Sequence, residues 1–405
     1  MKLDYSILNK LTEVYGDAYY LLDSKQFEEN FIELKNAFVK QYPKFNIAYS
    51  YKTNYIPKLC KIVDKLGGYA EVVSDMEMEL ALKIGVSPNK IIWNGPYKNK
   101  EKLCELLLMG GNINLDSKYE INIIKDIAKR YSNKILNIGL RCNFEINDGV
   151  KSRFGFDVES EEFIEVLNII KETKNLKLTG LQCHFACRDL KTWKPRAIGM
   201  LKILDKFNIE PEYIDLGGGL FGKMDYSLKK QFNCKIPNYR EYADEIIHIF
   251  TDRYLNAKKV PLLLIEPGSA LVGDCMKFVS RVINIKNIRG KFIATLLGSI
   301  YNINPTLNRK NPPIKIYKSR NKSKYYKDLD FGGYTCIESD YLYKHYDGEL
   351  AVNDIVVFGN IGSYSVVLKP PFILPNFAIL SISDGKVEEI KKKECFDDLF
   401  HTFSF

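Results

Sequence analysis

The sequence predicts an α/β protein, a (β/α)8 TIM-type barrel followed by a mostly antiparallel β-barrel or sandwich domain. Three observations carry this expectation. Eight short apolar runs of β-type composition alternate with amphipathic stretches through the first two-thirds of the 405 residues. The early runs begin at residues 46, 69, 90, 112 and 137, so 23, 21, 22 and 25 residues separate them, one β-loop-α unit each. After Gly273 the helical period gives way to β-branched and aromatic runs with turn residues between.

In chain order the barrel strands are expected at Asn46–Lys52, Tyr69–Ser74, Lys90–Pro96, Asn112–Ser117, Asn137–Asn143, Leu178–Phe185, Tyr213–Leu220 and Leu262–Gly268. Stretches such as Ile56–Leu66 and Met76–Ile84, apolar at every third and fourth residue, supply the helices. In a closed parallel barrel the functional groups sit at the C-terminal ends of the strands. Those ends carry Lys52, Arg141, His184, the run Gly217-Gly218-Gly219, and Glu266. Charged or glycine-rich ends on core strands cost stability, so five of them point to a site. Beyond the barrel, strands are expected at Phe278–Ile285, Phe292–Leu297, Ile355–Phe358 and Phe377–Ile382, with a helical period only in the tail near Glu388–Leu399. The expected domains are 28–273, a barrel, and 1–27 plus 274–405, a β domain completing the site; Ala18–Leu22 suits either one.

Composition sets bounds. At 46% hydrophobic and 13% aromatic the chain can bury a large core, which excludes disorder, collagen and coiled coil. No run is long and apolar enough to span a membrane and Met1–Tyr5 is not a signal peptide, so a cytoplasmic protein with no membrane role is expected. The net charge of +9 is dispersed except between Arg309 and Lys327, where eight basic residues stand among Asn, Ser and Tyr. That segment is expected to be a solvated loop rather than a nucleic-acid grip. The nine cysteines are odd in number and scattered, hence thiols. Cys183-His184 and Cys187 lack a second ligand cluster, so no metal is expected.

The candidate residues have plain alternatives. Lys52, in YSYKTN, is either a rim charge or a desolvated amine suited to imine formation with an aldehyde. The glycines of YIDLGGGLFG either cradle a phosphate or make a tight turn; the spacing fits neither an NTPase loop nor a dinucleotide fold. Glu266, in IEPGS, needs a cationic or hydrogen-bonding partner: a protonated pyridine nitrogen or a structural arginine. His184 either stacks on a ligand ring or fills the core.

Taken in order, these fragments resemble the fold-type III pyridoxal-phosphate decarboxylases, the group of ornithine, arginine and diaminopimelate decarboxylases, more distantly related to alanine racemase. The resemblance runs from about Ala18 to Phe377 and rests on YSYKTN, AEVVSDMEMELA, SRFGF, HFAC, DLGGGLFG, IEPGS, GYTCIESD and GSY. It implies pyridoxal 5'-phosphate as cofactor, held covalently by Lys52. Glu266 would keep the ring nitrogen protonated, which favours decarboxylation over racemisation, and His184 would stack on the ring. Gly217, Gly218, Gly219, Gly268, Ser269 and Tyr364 would serve the phosphate, with Cys187 replacing a serine there. Arg141 and Glu77 would line the ring. Cys336 would reprotonate the product from the other subunit of a head-to-tail homodimer.

The departures bear on the substrate. Ser269 stands where relatives have an arginine, Asn304 to Asn308 replace an arginine and tyrosine segment, and Ile337 follows the cysteine where an acid is usual. Both readers of a charged distal group are therefore missing. The expected substrate is an L- or D-amino acid or conjugate with a neutral side chain, including one held on a carrier protein, in siderophore, antibiotic, polyamine or amino-acid metabolism. Asn304, Asn308, Glu338 and Asp340 are the candidate contacts. A racemase or epimerase, and a silent homologue regulating a decarboxylase, are the alternatives; the presence of Lys52 and Cys336 speaks against the silent one.

Overall fold

In a computed structural model, residues 3–383 and 385–405 are described; Met1 and Lys2, at the head of the expected β domain, and Asp384 lie outside the described residues. The chain divides into two compact units. One comprises residues 28–221 and 234–270; the other comprises the residues up to 27, 222–233 and 271–405. The excursion 222–233, just past the triple glycine, thus groups with the second unit.

The chain starts with a helix, Tyr5–Tyr15, and strand β1 (Ala18–Asp23), both in the second unit. The first unit is the barrel. Its strands are β2 (Phe45–Ser50), β3 (Tyr69–Val72), β4 (Ile91–Trp93), β5 (Asn112–Leu115), β6 (Leu136–Asn143), β8 (Leu176–Gln182), β9 (Tyr213–Asp215) and β10 (Leu262–Ile265). All are parallel, each pairs with the next, and β10 pairs back to β2, so the sheet closes. The two-residue β7 (Phe156–Asp157) pairs with β6 outside the ring. Both faces of these strands are largely buried, which is why they read as nearly continuous apolar runs. The strands are shorter than those runs. The chain leaves the sheet just before Lys52, Asn94, Asp116, His184, Leu216 and Glu266, so their side chains cluster past the strand ends.

The helices follow from amphipathic spacing and caps. Pro57–Lys65 has proline in its first turn and buries Leu59, Cys60 and Val63. Ser74 caps Asp75–Lys83 by accepting from the Glu77 N–H at 3.2 Å. Inside the barrel two glycines make room for an aromatic ring: a Cβ at Gly180 would stand 2.0 Å from the Tyr213 ring, and one at Gly139 would stand 2.4 Å from its hydroxyl.

In the second unit β1 pairs antiparallel with β11 (Met276–Ile288) and parallel with β17 (Ile379–Ser383). Around them lie β12 (Lys291–Leu296), β13 (Ile314–Tyr317), β14 (Lys324–Gly332), β15 (Tyr341–Leu350), β16 (Ile355–Phe358) and β18 (Lys386–Lys391). Most pairings are antiparallel; β12 with β14 is a parallel exception. Tyr19, Leu21, Val279, Ile355 and Leu380 form a core. Two expectations need correction. The basic segment is not one loop, because Ile314 and Ile316 alternate with Lys315 and build β13 against β16, and β14 begins at Lys324. The tail is not helical from Glu388: β18 pairs with β17, and only Phe396–Phe400 is a helix. Among the described residues no helix is long and apolar enough to cross a membrane.

Candidate active site

Lys52 lies in the 3-10 turn Tyr51–Thr53 that ends β2. Its ammonium donates to both oxygens of Glu71, at 2.9 and 2.6 Å, from the neighbouring strand β3. Ser50 Oγ donates to Glu71 as well, at 2.5 Å. The Lys52 side chain remains 31% exposed while that of Glu71 is 1% exposed, so the amine faces the mouth and its counter-ion lies beneath. Asn94, just past β4, donates through Nδ2 to Glu71 at 3.2 Å and to Glu266 at 2.5 Å. Gln182 donates to the same Glu266 oxygen, Oε1, at 3.1 Å. Glu71, Asn94 and Gln182 escaped the sequence reading. Their signal is a polar residue at or next to the inner end of an apolar strand.

His184 ends the run after β8. Its Nδ1 accepts the Gly218 N–H at 3.0 Å, so the ring carries its hydrogen on Nε2 and is neutral. Its 3.5 Å approach to Glu266 is therefore not an ion pair. Burial pulls the His184 pKa down, in the same sense. Burial works to raise the Glu266 carboxyl, while the Lys52 charge and the donors on Oε1 work the other way and hold the group below the ordinary carboxylate range. Asp215, fully buried beside it, is pushed the other way, by burial first and then by the Glu266 charge. Of this carboxyl pair Glu266 is the ionised member.

Three glycines shape the adjoining loop. A Cβ at Gly217 would come within 2.3 Å of the Cys183 carbonyl, one at Gly218 within 2.5 Å of the Glu266 carbonyl, and one at Gly219 within 2.9 Å of the Phe185 and Cys187 carbonyls. Gly217 and Gly219 also have positive φ, 71° and 92°. Buried Arg196 pins this loop, donating to the carbonyls of Gly218, Phe185 and Cys187 at 2.6, 3.1 and 2.7 Å. Gly268 packs on Thr53, where a Cβ would meet Oγ1 at 2.0 Å. Arg188 reaches Ser269 Oγ at 3.4 Å and lies over the Phe221 ring. Ser269 itself carries no charge, and the guanidinium beside it comes from residue 188.

Arg141 contacts Asp116 at 3.3 Å and lies over Phe154. Beside it Lys98 and Glu120 form a buried ion pair at 2.8 Å. Glu77 accepts the Val73 N–H at 2.8 Å, and burial pushes its carboxyl up to about 7. The remaining predicted residues belong to the second unit. Cys336 and Glu338 are exposed, and Tyr364 holds a left-handed conformation at φ 65°. Asp340, a candidate substrate contact, is buried. Its two oxygens accept from Ser299, the Ile300 N–H and Thr335 at 3.0, 2.7 and 2.6 Å, so it orders its own loop. Asn304 and Asn308 likewise clip each other, at 2.6 and 2.8 Å.

An amine over a buried carboxylate, an ionised carboxylate among neutral donors, a flat neutral ring and side-chain-free backbone N–H groups fit pyridoxal phosphate. Lys52 would hold its aldehyde carbon, residues 217–219 its phosphate and Glu266 its ring nitrogen. The comparisons agree. A curated diaminopimelate decarboxylase of Aquifex aeolicus is 24% identical over 411 residues, covering 96% of this chain and 92% of its own. That of Methanocaldococcus jannaschii is 26% identical with the same coverage. The crystal structure of diaminopimelate decarboxylase from M. jannaschii superposes with a TM-score of 0.87 at 24% identity, covering 98% of this chain and 94% of that one. The arginine decarboxylase of Paramecium bursaria Chlorella virus gives 0.76 at 19%, covering 93% and 100%. Residues 28–273 match the family described as pyridoxal-dependent decarboxylase, pyridoxal binding domain, and the chain belongs to that family.

Proposed function

We propose that the protein is a cytoplasmic pyridoxal-phosphate carboxy-lyase that removes CO₂ from an amino acid or amino-acid conjugate and works as a head-to-tail homodimer. The observation that carries the reaction type is Glu266: a buried, ionised carboxylate with neutral donors on Oε1, able to hold a proton on the ring nitrogen. Pyridoxal phosphate supplies an electron sink for the pair left behind when CO₂ departs. Lys52 anchors the cofactor, and Glu71 beneath it fixes that amine at the mouth. Neutral His184 offers a flat face. Cys336 is the proton donor, contributed by the second subunit, and its exposure supports that role. None of the nine cysteines is in a disulfide, which suits a reducing compartment.

Arg188 bears on the substrate. Among the described residues no carboxylate pairs with it, and its guanidinium beside Ser269 suits an anion. A distal carboxylate therefore joins the neutral side chains as an acceptable group, in line with relatives named diaminopimelate decarboxylases. Two measurements test the proposal. Borohydride reduction of the cofactor-loaded protein and peptide mapping should place the adduct on Lys52; a label on another lysine sinks the assignment. Release of CO₂ from a panel of free and conjugated amino acids should exceed inversion at Cα, and inversion without CO₂ would make the protein a racemase.

A further inference from the structure

We infer that Asn94 is a positioning residue for Glu266, oriented by a hydrogen-bond chain that runs through Asn114 to Tyr213 across the barrel interior. The chain is continuous. Tyr213 donates its hydroxyl hydrogen to Asn114 Oδ1 at 2.6 Å, Asn114 donates through Nδ2 to Asn94 Oδ1 at 2.8 Å, and Asn94 donates through Nδ2 to Glu71 and Glu266. Each amide has its direction set by its neighbour. The two carboxylates only accept, so Asn94 turns its NH₂ to them and its oxygen to the Asn114 NH₂, which leaves the Asn114 oxygen for the Tyr213 hydroxyl hydrogen. A flipped Asn94 would present its oxygen to both carboxylates in a site where Asn94, Glu71 and Glu266 are at most 3% exposed. That is a cost no solvent relieves. The absence of side chains at Gly139 and Gly180 is what admits Tyr213 to its slot.

The consequence is that the chain, held in this direction, supports the ionised form of Glu266 by donating to it. The titratable and charged groups that face Glu266 are Lys52 past β2, Glu71 on β3, Cys183 and His184 past β8, and Tyr213 and Asp215 on β9. A carboxylate that loses donors protonates at higher pH.

The test is a pH titration of the visible absorption of the cofactor-loaded full chain. Asn94→Leu removes the donors, and Tyr213→Phe keeps the ring in its slot and removes only the hydroxyl. The acid transition should move up by about one pH unit in Asn94→Leu, equivalent to about 1.4 kcal/mol, and by less in the same direction in Tyr213→Phe. A transition that stays put in both loaded variants overturns the inference, including the case where only their melting temperatures fall. If Asn94→Leu does not fold, Tyr213→Phe decides the matter alone. The inference rests on the roles proposed for Lys52 and Glu266. A missing Lys52 adduct would sink those roles, whereas an unmoved transition with the adduct present sinks only this one.

Discussion

Replacing Gly217 by alanine should separate two costs that glycine avoids. Gly85 and Gly217 both have positive φ, 98° and 71°, but a Cβ at Gly85 meets nothing within 4 Å, whereas at Gly217 it lies 2.3 Å from the Cys183 carbonyl and 2.8 Å from His184 Cα. A left-handed backbone costs a residue with a Cβ about 1–2 kcal/mol, and both variants should lose that much stability. The clash at Gly217 is against backbone at the end of a barrel strand, so relief requires the 183–184 segment to shift and the Gly218 to His184 hydrogen bond to loosen. Overpacking of this kind costs about 1–3 kcal/mol. Because the strained loop is the proposed phosphate cradle, that increment should appear as weaker cofactor binding, about 5- to 150-fold. Equilibrium titration with pyridoxal phosphate measures it, with Gly85→Ala as the reference for backbone strain. If Gly217→Ala binds the cofactor as tightly as Gly85→Ala does, the cradle lies elsewhere.

Mixing inactive Lys52→Ala and Cys336→Ala chains should restore about a quarter of wild-type activity if each site borrows its cysteine; no recovery after confirmed subunit exchange would mean a site built from one chain. Arg188→Leu should lower the specificity constant for a substrate with a distal carboxylate about 10- to 100-fold while leaving cofactor affinity intact; weaker cofactor binding instead would assign the guanidinium to the phosphate. Burial raises the Glu77 pKa to about 7, above its unfolded value, so folding favours the protonated form. Its stability contribution is complete below pH 4.5 and is lost as pH rises towards 7, on the order of 3 kcal/mol. Urea unfolding across that range should show the decline, and Glu77→Gln should flatten it.

The barrel was legible because its information is local. Each βα unit repeats an apolar strand and an amphipathic helix, and a lysine, histidine or glutamate closing an apolar run stands out on sight. What connects those residues is not local. Asn94 meets Glu266 at a separation of 172 residues and Tyr213 meets Asn114 at 99, contacts that exist only once the sheet has closed. Gly139 and Gly180 are small residues inside strands, and only Tyr213 together with the Asn114 side chain it meets explains them. Arg188 was overlooked because a charge in a loop normally faces solvent. The tail misled because Val387 to Ile390 fits either period, and pairing with β17 decides it.

The charge inventory of the site leads to one more expectation. Glu71, Asp215 and Glu266 are each at most 3% exposed. The Lys52 ammonium is bound by both oxygens of Glu71. Burial and the Glu266 charge push the Asp215 carboxyl up, and His184 is neutral because Gly218 donates to Nδ1. Glu266 thus has only neutral donors in hydrogen-bonding contact, Asn94 and Gln182, and feels the Lys52 charge from beyond contact because Glu71 engages that ammonium. A buried anion without a cation is costly, and a ligand that supplies one stabilises the fold beyond its own contacts. Pyridoxal phosphate brings a ring nitrogen that can be protonated, whereas its 1-deaza analogue, with carbon in that place, keeps the aldehyde and phosphate. Both should bind, but pyridoxal phosphate should raise the melting temperature more, and Glu266→Gln should abolish the difference. Equal stabilisation of the wild-type protein by the two compounds would show that Glu266 does not meet the ring nitrogen.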